Sequence, residues 1–290
     1  MSDPNILASQ FEGNRAHLRA VAYRMLGSLS EAEDAVQEAW LKLSRADTRD
    51  VENLRGWLTT VVARVCLDML RARKSRPDQP QDVSGSTQDA PAPVADAESE
   101  ALMADSVGLA LLVVLQTLAP PERIAFVLHD MFDLSFDEIG PIVGRSPTAA
   151  RQLASRARRR VQGSKETPNA DLNEHREVID AFLAAARSGN FDGLVALLDR
   201  NVVFRADSTA TRLGGPGEIR GAEAVARSFS GRAQSARSVL VDGAVGVVVA
   251  PRGRLLLVLN VAIANGKITT IEAIADPERL ARTELATLND

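Results

Sequence analysis

Apolar residues recur at helical spacing from early in the chain. Leu18, Val21, Ala22, Met25 and Leu26 form one stripe, and Val36, Ala39, Trp40 and Leu43 a second, which predicts two amphipathic helices. Ser30-Glu31-Ala32-Glu33 reads as a capping box that opens the second helix. A third long helix is predicted from about Trp57, with Val61, Val62, Val65 and Met69 inward and Arg71, Arg73 and Lys74 crowding its end. Residues 6–76 therefore read as an all-α module. Residues 77–105 are rich in Pro, Asp, Gln, Ser and Ala and almost devoid of large apolar side chains. Such a segment buries too little surface to offset its ordering entropy, so a flexible linker is expected.

Helical spacing resumes over residues 106–163. A first helix runs to Leu118, and Pro120-Pro121-Glu122 restarts the chain into Ile124–Phe132. Ser135-Phe136-Asp137-Glu138 is a second capping-box candidate, opening a short helix with Phe136, Ile139 and Val143. Gly144 and Arg145 make a tight turn. Ser146 then suits an N-cap and Pro147 the first helical position of a helix ending near Gln162. After a polar link at 164–171 the pattern becomes α+β across 172–288. Helices are predicted at 173–187, 191–199 and 222–230, and strands at Val202–Ala206, Val239–Ala250, Arg254–Ala264 and Lys267–Ile274. Asn265-Gly266 between apolar runs signals a hairpin, and Asp276-Pro277 would cap a last helix. The fold class is multidomain: two all-α modules followed by an α+β domain.

Composition supports several compact units. The chain has 290 residues, 45% of them hydrophobic but only 4% aromatic, so its cores rest on Leu, Val, Ile and Ala. The single cysteine, Cys66, excludes an intramolecular disulfide, and the three histidines, His17, His129 and His175, lie far apart. No metal and no cofactor are expected. No apolar run approaches the ~20 residues that span a bilayer. The first residues lack the basic-then-apolar pattern of a secretory leader, so no membrane insertion and a cytoplasmic location are expected.

The formal net charge of −4 argues against nucleic-acid binding until its distribution is read. Arg64, Arg71, Arg73, Lys74 and Arg76 form one basic block, and Arg151, Arg156, Arg158, Arg159 and Arg160 another. Between them, Pro77 to Val107 contains seven acids and no Lys or Arg. Two basic modules are joined by an acidic strap. In the second module, Phe136 to Arg151 reads as a helix-turn-helix. Small residues near the start of its second helix, Thr148 and Ala149 among them, permit close approach to base edges. Arg145, Arg151, Gln152 and Ser155 supply groups that read bases in a major groove. Arg156, Arg158 and Arg159 would mainly neutralise phosphates. The plainer alternative is an amphipathic helical hairpin with a solvated basic face.

These segments, in this order, resemble the extracytoplasmic-function family of RNA polymerase sigma factors. Glu33-Asp34-Ala35-Val36-Gln37-Glu38-Ala39-Trp40-Leu41 and Arg55-Gly56-Trp57-Leu58 are similar to its region 2. Pro121-Glu122-Arg123-Ile124-Ala125-Phe126-Val127-Leu128 and the helix-turn-helix are similar to its region 4. The resemblance implies initiation of transcription with the polymerase core as partner. Asp34, Gln37, Glu38 and Trp40 would dock on the clamp of the largest subunit. Asn53, Arg55 and Trp57 would take a flipped base of a melted −10 element, Trp57 being equally a core residue. Arg64, Arg71, Arg73 and Arg76 would hold its phosphates, region 4 would read a double-stranded −35 element, and the acidic linker would thread the polymerase cleft.

Residues 172–288 resemble a SnoaL-like, cone-shaped domain of the nuclear-transport-factor-2 superfamily, an appendage found in a sigma-J-like subgroup. That subgroup's "DGGGK" segment is here Asp207-Ser208-Thr209-Ala210, and its "NPDKL" is Asp276-Pro277-Glu278-Arg279-Leu280. The resemblance implies a regulatory domain folding back on the sigma modules through Asp207, Asp276, Pro277 and Arg279, and leaves room for a separate regulator acting on it. Asp207 also reads as a general base in an apolar pocket or, more simply, as a turn former at a strand end. No enzyme is expected. The competing readings are a helix-turn-helix regulator that never joins polymerase, and a small cyclase or isomerase tethered to a DNA-binding module.

Overall fold

A computed structural model of the chain describes residues 4–46, 51, 53–75, 108–163 and 170–288. The described chain divides into two compact units. One comprises residues up to 108 together with 118–158, the other 109–117 together with 159 onward. Arg76 and the acidic strap lie outside the described residues.

In the first unit, α1 (Pro4–Leu26), α2 (Leu29–Leu43) and α3 (Leu54–Ser75) pack on one another. The predicted stripes face inward: Leu18, Val21, Met25, Val36, Ala39, Leu43, Leu58, Val62 and Cys66 are buried. The capping box expected at Ser30 is not formed. The helix starts two residues earlier, Ser28 stands at its N-cap without a side-chain cap bond, and the Ser28 and Ser30 hydroxyls meet at 3.0 Å. Glu33 turns instead to α1, where Arg19 lies 3.2 Å and Arg15 3.8 Å away. Full charges on a neighbouring helix outcompete one backbone N–H.

The same unit continues through α5 (Pro120–Phe126), a π-helical stretch (Val127–Met131), α6 (Phe136–Val143) and most of α7 (Pro147–Gln162). The box at Ser135 does form. Its hydroxyl accepts from the Glu138 N–H while the Glu138 carboxylate accepts from the Ser135 N–H. Gly144 ends α6 in the left-handed region, φ +69°, which glycine adopts without a Cβ penalty. Ser146 then caps α7 by accepting from the Ala149 N–H.

Arg123 sits in the middle of this unit, only 5% exposed. It donates to the Met25 carbonyl at the end of α1 (2.9 Å) and to the Leu118 carbonyl (3.4 Å). Burial first, and then the nearby positive Arg73, push its pKa down to about 10.

The second unit is built on a seven-stranded sheet of order β2-β1-β6-β5-β4-β3-β7 among the described residues. Its elements are α8 (Ala170–Ser188), α9 (Phe191–Leu197), β1 (Leu198–Ala206), α10 (Ser208–Arg212) and β2 (Glu218–Arg220). They are followed by α11 (Ala222–Phe229), β3 (Ala236–Val241), β4 (Ala244–Val249), β5 (Leu257–Ala264), β6 (Lys267–Ile274), α12 (Pro277–Arg282) and β7 (Leu285–Ala286). The pairings are antiparallel except β1 with β6. This is the α+β architecture expected.

The run read as one strand, Val239–Ala250, is a hairpin of β3 and β4. Asp242 and Gly243, both at positive φ, turn it as Asn265 and Gly266 turn β5 into β6. The core lies between the sheet and α8, α9 and α11. Half-buried Phe229 packs against it, with ring centroids 5.2 Å from Phe182 and 5.6 Å from Phe204, both buried. A further helix, α4 (Leu109–Thr117), packs on β3, β7 and the short turn at Pro251–Gly253.

Candidate nucleic-acid interface

Helix α7 divides its side chains cleanly. Ala150, Ala154, Ala157 and Val161 are buried, spaced three or four apart, and fix one face against the protein. Thr148, Arg151, Gln152 and Arg159 are exposed and Ser155 half-exposed on the other, with Arg145 exposed in the preceding turn. The Arg151 guanidinium lies 5.2 Å from the Phe136 ring centroid. A cation over an aromatic face holds an arginine at the helix–helix turn without neutralising it.

Two arginines of the basic block are engaged elsewhere. Arg156 Nε donates to the Glu122 carboxylate at 3.0 Å, and Arg158 Nε to the Asp130 carboxylate at 2.7 Å. Both acids are mostly covered, with side chains 13% and 18% exposed. These pairs fasten α7 to α5 and to the π-helical stretch. They lie 34 and 28 residues apart in sequence, and no local signal announces them.

In the first three helices the expected residues fall into separate places. Asp34, Gln37 and Glu38 are exposed together on α2, where Lys42 reaches Glu38 at 3.4 Å. Trp40 is half-buried against Phe11, ring centroids 5.1 Å apart, and with Gln37 lines a cavity of about 170 Å³. Asn53 accepts from the Gly56 N–H at 3.0 Å, so its amide caps α3. Arg55 donates to His17 Nδ1 at 2.9 Å, while His17 Nε2 sits 3.2 Å from the Thr59 hydroxyl. Burial first, and then Arg55 and Arg24, push the His17 pKa down, which suits a neutral ring that accepts from Arg55. Trp57 is half-buried at the first turn of α3.

Farther along α3, Arg64 and Arg71 are exposed and border a cleft of about 310 Å³ whose other wall is Pro141 and Ile142 of α6. Arg73 pairs with Glu31. The sequence missed this acid, because Glu31 was read as part of a cap.

In the second unit Asp207 is an N-cap. One carboxylate oxygen accepts from the Ala210 N–H at 2.7 Å, the other from the Ala275 and Asp276 N–H groups, each at 2.9 Å. Partial burial pushes its pKa up, but these three bonds and Arg279 outweigh it and hold the carboxyl below its ordinary value. An acceptor with its lone pairs so occupied is a turn former rather than a base. Asp276 caps α12 by accepting from the Arg279 N–H, with Pro277 at the first helical position. Arg279 pairs with Glu272 at 2.8 Å, which raises its own pKa. Asp207, Asp276 and Arg279, expected to face another domain, thus tie together α10, β6 and α12, and Pro277 opens α12. Among the described residues no group of His, Cys, Asp or Glu is placed to hold a metal ion, and no helix is long and apolar enough to cross a membrane.

The sequence matches the family model Sigma-70 region 2 over residues 10–76 and the family model Sigma-70, region 4 over residues 108–161. It is 35% identical over 281 residues to a Mycobacterium tuberculosis protein described as probable ECF RNA polymerase sigma factor SigI, covering 97% of each chain. It is also 35% identical over 299 residues to the ECF RNA polymerase sigma factor SigJ of Mycobacterium tuberculosis, covering 96% of this chain and 94% of the relative. A crystal structure of that SigJ aligns at 33% identity over 94% of this chain and 98% of the other, with a TM-score of 0.42.

Proposed function

Because this chain belongs to the extracytoplasmic-function RNA polymerase sigma factors, we propose that its helical modules divide promoter recognition between α7 and α3 and give core docking to α2. The observation that carries the proposal is the exposed stripe of α7. Thr148, Arg151, Gln152, Ser155 and Arg159 face outward on a helix whose opposite face is packed, with Arg145 exposed in the turn before it. This stripe reads the −35 duplex in its major groove, with Arg151 and Gln152 on base edges and Arg159 on phosphate. Arg156 and Arg158 act mainly by fixing the angle of the helix, since their guanidinium groups bond to covered acids.

On α3, Arg64 and Arg71 hold the phosphates of the melted −10 strand, and Asn53, Arg55 and Trp57 mark the end where an unstacked base is received. Arg73, near the end of α3, adds to the same phosphate contacts, as does Arg76, which lies outside the described residues. Asp34, Gln37 and Glu38 present an acidic, polar strip to a basic surface of the polymerase clamp, with Trp40 beside it. The acidic strap follows the polymerase cleft, and the factor works in the cytoplasm, where the polymerase is. The C-terminal domain regulates rather than catalyses: Asp207 is committed to backbone bonds, and buried Phe182 and Phe204 take up core space against Phe229.

Run-off transcription by sigma-free core polymerase with the full chain tests this reading. The promoter is one enriched from a randomised library by the same holoenzyme. Asp34→Lys with Glu38→Lys should abolish both transcription and co-elution with core. A chain that co-elutes with core yet selects no promoter sinks the division of labour. The full chain is required, because cutting at residue 170 would uncover Leu112–Leu115 of α4.

A further inference from the structure

His17 of α1 sits inside a closed ring of hydrogen bonds. An arginine only donates, so the 2.9 Å contact between the Arg55 guanidinium and His17 Nδ1 makes Nδ1 the acceptor. The imidazole proton is then on Nε2, 3.2 Å from the Thr59 hydroxyl oxygen. That hydroxyl donates in turn to the Arg55 carbonyl, 2.8 Å away, which leaves its oxygen to accept from His17. Arg55 to His17, His17 to Thr59 and Thr59 back to Arg55 use each proton once. The ring closes only around a neutral imidazole. The imidazolium carries an N–H on both nitrogens and sets one of them against the donor of Arg55.

The three partners differ in exposure. Thr59 is buried in α3, the His17 ring is half-buried, and Arg55 is exposed. The other groups around the ring favour its neutral form as well. Arg24 lies about two turns farther along α1 and, like Arg55, acts on the ring as a positive charge. Phe132, just after the π-helical stretch, meets the ring edge-on with centroids 5.4 Å apart and brings no charge. Glu33, the acid that α2 turns toward α1, is taken by Arg15 and Arg19. Burial first, and then the two arginines, therefore hold the His17 pKa below its ordinary 6.5.

An exposed arginine held by one acceptor on a half-buried ring is aimed before its ligand arrives. A free arginine samples many rotamers and loses them on binding, and holding it beforehand removes that cost. We propose that His17 is a positioning residue for capture of the melted −10 base, holding Arg55 at the N-terminal end of α3 where the base is received. This rests on the assignment of Arg55 to that base. It adds a residue of α1 that acts through Arg55, and a sensitivity to protons. Above pH 6.5 the neutral ring holds Arg55 in full, and acid releases it as pH falls through the lower value of the folded chain.

The test uses the full chain with core polymerase on two templates premelted across the −10 region. One carries the −10 sequence selected by the wild-type holoenzyme, and in the other that sequence is scrambled. The ratio of run-off on the two measures −10 recognition and cancels the response of the polymerase itself to pH. At neutral pH His17→Leu should lower the ratio roughly two- to tenfold, the worth of holding one rotamer-rich side chain. In an Arg55→Ala background it should lower it no further, the signature of two residues acting as one. His17→Asn supplies an oxygen that accepts from Arg55 without titrating, and should keep most of the ratio from neutrality down to about pH 5. The wild-type ratio should instead fall toward the His17→Leu value below pH 6.5. An undiminished loss from His17→Leu in the Arg55→Ala background would show that the ring only supports folding and overturn the proposal. So would no loss from His17→Leu, or a wild-type ratio as flat in acid as that of His17→Asn. If Arg55→Ala itself leaves the ratio intact, it is the assignment of Arg55 that fails, a result that variant shows by itself.

Discussion

Helices α3 and α7 each carry an arginine block, and each block splits between groups tied to partners and groups turned outward. On α7, Arg156 and Arg158 are tied to Glu122 and Asp130, whose side chains are 13% and 18% exposed. On α3, Arg73 meets Glu31 at 29%, and Arg71 lies 3.9 Å from an Asp68 that is 77% exposed. The carboxylate's burial decides what the arginine does. Removing an arginine from a covered acid leaves a charge without its counter-charge, which is costly. Removing one from a solvated acid changes little, because water and salt already screen the pair. The two blocks look alike as strings of letters, but the tied arginines of α7 meet covered acids and those farther along α3 meet more exposed ones.

The largest effect that sharpens the comparison is expected on DNA. Arg151→Ala with Gln152→Ala should cost about 2–4 kcal/mol of −35 discrimination, since each base-reading pair is worth roughly 1–3 kcal/mol. The slope of log affinity on log salt should fall by about 1 and the unfolding midpoint should not move. Binding titrations of holoenzyme on matched and scrambled duplexes measure this; an unchanged preference would remove the stripe from the reading face. Next, Arg158→Ala should destabilise the chain by roughly 1–3 kcal/mol by uncovering the need of Asp130 for a donor. Arg71→Ala should cost no more than about 0.5 kcal/mol. Denaturant unfolding of both variants checks the contrast, which breaks if their costs are equal.

A smaller effect concerns the C-terminal domain. Asp207→Ala should cost about 1–2 kcal/mol at neutral pH, the usual worth of an N-cap. The folded carboxyl is held below its unfolded value of about 3.9, so its contribution is complete above that pH and disappears as pH falls through the folded value. The difference between variant and wild type should therefore shrink in acid, and a gap independent of pH between 2 and 7 would contradict the charged cap. The smallest contrast is between two serines. Ser135→Ala should cost about 1 kcal/mol, because it breaks a formed capping box, while Ser30→Ala should stay within about 0.5 kcal/mol. Thermal melts of the two single variants suffice.

Much of the architecture could be read before any coordinates. Periods of 3.6 placed α1, α2, α3 and α7. The Ser146-Pro147 start and the Ser135 box placed the helix-turn-helix to the residue, and Asn265-Gly266 placed the β5–β6 turn. These signals are local, so the residues that cause them are the residues that show them. The same kind of signal failed at Ser30, where Arg15 and Arg19 of another helix claimed Glu33. At Asp242-Gly243 the turn is masked by the long apolar run on either side of it.

The sequence by itself determined the helical modules, the outward stripe of α7, the two basic blocks and the α+β character of the last domain. Each of these follows from spacing, caps and turn residues within a few positions of one another. Only the tertiary structure decided that Arg156 and Arg158 pair with covered acids and that Asp207 is an N-cap tied to the start of α12. Those outcomes depend on partners many residues away. A one-dimensional pattern carries the period of a face, but not the identity of the group that comes to lie against it.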